Sequence, residues 1–169
     1  ADYITVNISS PNTPGLKGYQ KGSNLNRLLE ALTNSRLRKR PSLPILLKVS
    51  PDLDEETLTA LVQSSIDSGI KGLIIGNTTI NRPSSLTSRY KSESGGLSGR
   101  PLRGMANESL KIVNTIAPKD FVLIAVGGIA NSEDVRERFS GGASLVQVYT
   151  EFVYRGVNLI EDILADLDK

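Results

Sequence analysis

The chain has 169 residues, of which 38% are hydrophobic and 22% charged, with a net charge of +2, enough for one domain with a real core and ordinary for a globular protein. It contains no Cys and no His, which excludes disulfides, cysteine-ligated iron–sulfur clusters, a thiol nucleophile and an imidazole base, and leaves little for a zinc site. Basic residues are scattered apart from a short cluster at 36–40, so there is no nucleic-acid footprint, and no apolar run approaches the roughly 20 residues of a membrane span.

Ala1-Asp2 leads directly into a strand, with neither an initiator Met nor a targeting segment, so the chain reads as the later part of a larger protein. From Asp2 to Ser9, Ile4, Val6 and Ile8 alternate with Tyr3, Thr5, Asn7 and Ser9, which gives a strand with one apolar and one polar face. Pro11 stops it and holds Ser10 extended, and Asn12, Thr13, Pro14 and Gly15 form a loop. Two amides and two adjacent hydroxyls therefore meet at the C-terminal end of a strand, where α/β folds place their chemistry. A polar turn closed by an Asx hydrogen bond has the same signature.

Ser23 to Arg38 follows the helical spacing through Leu25, Leu28, Leu29 and Leu32, with Ser23 or Asn24 as its cap. The basic cluster then ends this helix, where cations suit the dipole. Residues 45–50 are a short apolar run of the kind that makes a buried parallel strand, interrupted by Lys48. A lone Lys there must meet an anion or snorkel to solvent. Asp54 caps the next helix, whose inner stripe is Leu58, Leu61, Val62 and Ser65 and whose end is marked by Gly69. Gly72 to Asn77 is a further buried strand, delivering Asn77, Thr78 and Thr79 to the same end as Asn7 and Lys48.

Thr79 to Pro101 has no usable periodicity and includes Gly95-Gly-Leu-Ser-Gly99; a loop of that length is a lid, a binding loop or disorder. A helix over 105–117 presents Ala106, Leu110, Val113 and Ala117 on one face. Strand 121–126 ends in Gly127-Gly128, a short helix capped by Asn131 or Ser132 runs through Phe139, and strand 144–148 is followed by Tyr149-Thr150. Helix 157–168 turns Ile160, Ile163, Leu164 and Leu167 inward. Gly-Gly after one strand and Tyr-Thr after the next suit a phosphate, which backbone N–H groups and a helix N-terminus can approach closely; a tight βα turn would use Gly-Gly as well.

Strands alternating with helices imply an α/β fold with parallel strands. No GxGxxG follows the first strand, which argues against a Rossmann unit. A full (β/α)8 barrel needs eight strands and about 250 residues, so the expectation is the last five βα units of such a barrel, residues 1–169 being the C-terminal portion of a single domain.

The run Asn7-Ile-Ser-Ser-Pro-Asn-Thr13 resembles the active-site strand of dihydroorotate dehydrogenases, and the resemblance extends over essentially the whole chain. Members that pass electrons to quinone carry Ser where Ser10 stands; soluble relatives carry Cys. The resemblance implies a TIM barrel of the FMN-linked oxidoreductase type that oxidises dihydroorotate to orotate in pyrimidine biosynthesis. A base takes a proton from C5 while hydride leaves C6 for the flavin. It further implies Ser10 as the base, Thr13 as the hydroxyl that relays its proton, and Lys48 beside the flavin. Asn7, Asn12, Asn77 and Thr78 are implied as substrate contacts, and Asn7, Gly76, Gly99, Gly127, Gly128, Tyr149 and Thr150 as FMN contacts, the last four around the phosphate. The family commonly has Thr where Gly76 stands, which puts a side-chain flavin contact there in doubt.

The implied partners are quinone, a membrane surface bound through preceding helices, and the N-terminal half of the barrel in the same or a separate chain. The implied location is peripheral, on the mitochondrial inner membrane of a eukaryote or the bacterial cytoplasmic membrane. Another FMN barrel, such as a dihydrouridine synthase or hydroxy-acid oxidase, shares the phosphate half, although the oxidases need a His base. A non-catalytic, phosphate-binding half-barrel is the alternative of a different class.

Overall fold

In the computed structural model, which describes residues 1–168, strands and helices alternate as β1 (Ile4–Asn7), α1 (Gly22–Lys39), β2 (Ile45–Val49), α2 (Glu55–Asp67), β3 (Gly72–Ile75), α3 (Arg103–Ile116), β4 (Val122–Val126), α4 (Ser132–Ser140), β5 (Leu145–Gln147), α5 (Thr150–Arg155) and α6 (Asn158–Leu167). The strands form one sheet in the order β1-β2-β3-β4-β5, and every pairing is parallel. Doubly wound sheets reverse direction at a switch point; a sheet that adds each strand beside the last without reversal is the arrangement of a (β/α)8 barrel. The chain has that fold and contributes about five βα units of it.

The two faces of the sheet differ sharply. Leu47, Val49, Leu73, Ile75, Leu123 and Ala125 belong to the main core with Leu25 and Leu29 of α1, Leu58, Leu61 and Val62 of α2, and Leu110 and Val113 of α3. On the other face Leu46, Ile74 and Ile124 form a small separate cluster, joined by Val122 and Val126. This is the barrel's inner face. The alternation in the first strand obeys the same division: Val6 and Ile8 join the helix-side core, while Asn7 is in register with Lys48, two residues beyond Leu46 and so on the inner face.

Local chemistry accounts for most boundaries. Asp54 caps α2 by accepting a hydrogen bond from the Thr57 N–H at 2.7 Å, and this bond holds its carboxyl below the usual carboxylate range. At the other end Gly69 has φ +76°, and the Gly69 N–H to Ile66 carbonyl and Ile70 N–H to Ser65 carbonyl bonds, both 3.0 Å, complete a Schellman stop. Asn131 caps α4 through the Asp134 N–H at 2.9 Å.

Three expectations are corrected. Helix α1 begins at Gly22 with no side-chain cap; Asn24 lies inside its first turn and accepts instead from Arg27. The last segment is two helices, because Gly156 at φ +61° breaks the chain between α5 and α6. In α6 the buried positions are Leu159 and Ile163, while Leu164 is exposed, so the inward stripe is rotated from the one expected. Along the β5 side, Leu145, Val153, Tyr154 and Val157 are also exposed. Among the described residues β1 and β5 have one strand neighbour each.

Candidate active site

The parallel register sets Asn7 beside Lys48 and Lys48 beside Ile74, so the C-terminal ends of β1, β2 and β3 rise to one level. At that end a cavity of about 340 Å³ is lined by Lys48, Asn77, Thr78, Gly99, Gly127, Gly128, Tyr149 and Thr150, with Ser98, Gln147 and the apolar Leu102, Val126, Ile129 and Val148 between them. Eight of the residues expected at the site thus share one cavity. Their sources range from β2 to the start of α5, and only the fold unites them.

The amides of the first and third strand ends are joined directly. Asn77 Nδ2 donates to Ser9 Oγ at 2.7 Å and to Asn7 Oδ1 at 3.4 Å. Asn7 Oδ1 also accepts from the Ser9 hydroxyl at 2.8 Å and the Ser9 N–H at 3.1 Å. Asn77 Oδ1 accepts from the Thr78 N–H at 2.9 Å. Ser9 is fully buried, and it is the hub of this network. The sequence placed Ser9 on the polar face but gave it no role.

Asn7, Ser10, Asn12 and Thr13 are not in the cavity wall; Asn7 ends β1 and the other three sit in the loop after it. Ser10 Oγ accepts from the Asn12 N–H at 3.4 Å and from the Thr13 hydroxyl at 3.5 Å, both long contacts that leave its side chain free to turn. The Gly95–Gly96 segment packs on this loop: a Cβ at Gly96 would lie 1.9 Å from Thr78 Oγ1 and 3.1 Å from Pro11 Cγ, and one at Gly95 3.8 Å from Asn12 Oδ1. No side chain fits at Gly96, so the backbone itself covers Thr78.

Lys48 is half-buried, and burial pushes its pKa below the ordinary lysine value. Among the described residues its ammonium has no carboxylate within ion-pair distance. A desolvated, unpaired cation at a cavity wall favours an anion there.

The glycines on the β4 side are fixed from behind. Gly127 and Gly128 have φ +111° and +75°, which only glycine adopts readily. The Gly127 carbonyl accepts from Arg138 Nη2 at 2.8 Å. Arg138 is fully buried, and its Nε and Nη1 have no hydrogen-bond partner among the described residues. On the other side, Thr150 donates to Ser98 Oγ at 2.9 Å, tying the Gly-rich loop to the start of α5.

Gly76 is not a cavity residue. It has φ +117°, and a Cβ there would meet the Val126 carbonyl oxygen at 2.5 Å. At this backbone, which turns tightly against β4, a side chain would be both strained and clashed.

Sequence reasoning also missed a knot beneath the loops. Asp52 accepts from Lys17 Nζ at 3.2 Å, from the Ile80 N–H at 3.3 Å and, through a short bond, from the Thr79 hydroxyl. Buried Gln20 accepts from the Ser50 N–H at 2.9 Å. The loops after β1, β2 and β3 are thereby tied together. The one available signal was a second acid, Asp52, two residues before the capping Asp54.

A family model described as dihydroorotate dehydrogenase matches residues 1–169. The dihydroorotate dehydrogenase (quinone) of Xanthobacter autotrophicus is 42% identical over 171 residues, covering 99% of this chain and 48% of its own length. That of Azorhizobium caulinodans is 43% identical over 171 residues, covering 99% and 48%. The crystal structure of ligand-free type DHODH from Eimeria tenella superposes with a TM-score of 0.92 at 36% identity, covering 99% of this chain and 50% of that one. The chain thus spans about half the length of the curated relatives it matches. Those relatives are bacterial, so the mitochondrial placement expected from the sequence finds no support in them. No helix among the described residues is long and apolar enough to cross a membrane. The match over all 169 residues, together with the fold, shows that the chain belongs to the dihydroorotate dehydrogenase family.

Proposed function

We propose that this chain is the C-terminal portion of a single FMN-binding barrel that oxidises dihydroorotate to orotate in UMP biosynthesis, with quinone as final acceptor. The observation that carries the reading is Asn77: it lines the cavity while bonding Ser9 and Asn7, so amides from two strand ends meet at the edge of a site that also holds Lys48. Amide pairs fixed by a buried hydroxyl suit a planar pyrimidine with alternating donors and acceptors, and orientation is a large part of such a barrier.

The cavity's chemistry fits FMN. Apolar Leu102, Val126, Ile129 and Val148 suit a flat ring, an unpaired cation stands at the β2 side, and glycine backbone lies at the β4 side. Lys48 would neighbour the ring, where a fixed cation favours added negative charge. Gly127, Gly128, Tyr149 and Thr150 would hold the phosphate, with Gly99 and Asn7 as further contacts, and at Gly76 only a backbone contact is available. When bound, FMN supplies the acceptor for the hydride that leaves C6.

Ser10 takes the proton from C5 as the C5–C6 double bond forms and gives its own hydroxyl proton to Thr13, whose hydroxyl turns from the donor it is here to an acceptor and passes a proton on to solvent. A serine hydroxyl is a weak base alone, so the relay is required. The long Ser10–Thr13 contact tightens when substrate fills the site. Asn7, Asn12, Asn77 and Thr78 hold the ring and carboxylate.

Quinone as acceptor rests on Ser10 in place of Cys and on the printed names of the relatives. Peripheral attachment to a membrane follows from the same reading. The upstream half of the barrel, in the same or a separate chain, would pair with β1 and β5. A dihydrouridine synthase, a hydroxy-acid oxidase and a non-catalytic half-barrel draw no support from the family match. The test uses the full-length protein: anaerobic dihydroorotate should bleach its flavin, and a soluble ubiquinone analogue should restore the oxidised spectrum. A flavin that dihydroorotate leaves oxidised would overturn the reading.

A further inference from the structure

The segment 83–94 is almost entirely exposed, contributes no residue to any hydrophobic core cluster, and would be expected to wander. Its path is nevertheless set by one side chain. Arg82 Nη1 donates to the carbonyls of Thr79, Ile80 and Asn81 at 3.2–3.3 Å. Nε donates to the Lys91 carbonyl at 3.1 Å, and Nη2 to those of Glu93 and Gly95 at 2.9 and 2.8 Å. A single guanidinium thus joins the outgoing arm of the loop to its returning arm. Its planar fork of five N–H donors can do this, and a lysine ammonium cannot.

The returning arm leads straight to the site. Gly95, whose carbonyl Arg82 holds, is followed by Gly96 against Thr78 and Pro11, and then by the Leu97–Thr79 backbone pair at 2.8 and 3.0 Å. The Asp52 knot fixes Thr79 from below. Arg82 donates no hydrogen bond to Asn7, Ser10, Asn12, Asn77 or Thr78, yet it sets where the backbone that covers Thr78 can lie.

We infer that Arg82 is a positioning residue for the substrate side of the cavity. It holds the 79–97 loop as a preformed cover over Thr78 and the loop after β1, and substrate exchange requires its grip on Glu93 and Gly95 to release. The inference rests on the proposed function for the identity of the substrate but not for the state of the loop.

The test compares full-length wild type, Arg82→Ala and Arg82→Lys by two readouts. The first is limited trypsinolysis at Arg89 and Lys91, the loop sites not followed by proline. The second is orotate affinity, read from the perturbation of the flavin spectrum. Cleavage should speed by about tenfold or more in both variants, since it follows the open population. Orotate should bind about tenfold more weakly, equivalent to 1.4 kcal/mol, with flavin content unchanged. Arg82→Lys keeps the charge and the polarity, so it answers the question even if Arg82→Ala fails to fold. Wild-type cleavage rates in Arg82→Lys would overturn the inference. So would faster cleavage with unaltered orotate affinity, which would separate the loop from the site. A wild type that binds no orotate would overturn the functional reading instead, while the cleavage arm still decides what Arg82 holds.

Discussion

Asn77 and Ser9 are 68 positions apart in the chain, and the Asn77 side-chain amide donates to the Ser9 hydroxyl at 2.7 Å. Through that bond, and through Ser9 to Asn7, two amides at the ends of non-adjacent strands acquire one orientation. Ser9→Ala should therefore cost the fold about 0.5–1.5 kcal/mol, the net worth of a typical intramolecular hydrogen bond, and weaken orotate binding in the full-length protein. Urea unfolding together with an orotate titration checks this. A variant with lowered stability and unaltered affinity would make Ser9 a purely structural hydroxyl.

Lys48 makes a prediction with a definite sign. Burial lowers its folded-state pKa, so between that lowered value and its unfolded value the unfolded chain binds more protons and stability rises with pH. Below both values the charged, desolvated Lys48 holds the fold at its full penalty. Lys48→Met should accordingly leave the flavin-free protein as stable or more stable, and should flatten the alkaline rise in stability. The same change should lower the flavin's reduction potential and its affinity, because one fixed cation serves both. Thermal melts across alkaline pH and a spectroelectrochemical titration test the two halves separately.

The 169 residues expressed alone should bind FMN weakly and tend to associate. Strands β1 and β5 each have one partner among the described residues, and unpaired strand edges template further pairing. The inner-face cluster of Leu46, Ile74 and Ile124 is small and gains its packing only from a closed barrel. Sedimentation and an FMN titration of the isolated chain, with and without the upstream half of the barrel, measure this. A monomer that unfolds cooperatively and binds FMN at sub-micromolar concentration would contradict it.

The apolar strands and the helical stripes of α1, α2 and α3 were legible because burial imposes their periods of 2 and 3.6 directly on the sequence. Lys48 stood out for the same reason, as a charge inside an apolar run. Helix α5 left no signal: it is six residues long, has no side-chain cap and buries no residue. The hydrogen-bonding roles of Ser9, Asp52, Arg82 and Arg138 are not legible in the sequence, because what defines them is a partner far along the chain or a backbone carbonyl, and neither has a residue-type signature. Gly76 is legible as a departure from the family's Thr, while the close approach of β4 to it has no signature in the sequence. The motif residues around Ser10 were found by resemblance, and their spacing alone would have read as a turn.

We propose that the cluster at the strand ends oxidises dihydroorotate with Ser10 as its base, and rapid anaerobic mixing of the full-length protein with dihydroorotate tests this. Chain chemistry leaves few other bases, since His and Cys are absent, and Ser10 stands in the loop after β1 with only long contacts holding it. Ser10→Ala should retain its FMN and bind orotate, while flavin bleaching slows by about 10²–10⁴-fold, the range expected for losing one general base. Thr13→Val should slow it less. Bleaching of Ser10→Ala at a near-wild-type rate, with flavin bound, would remove Ser10 as the base.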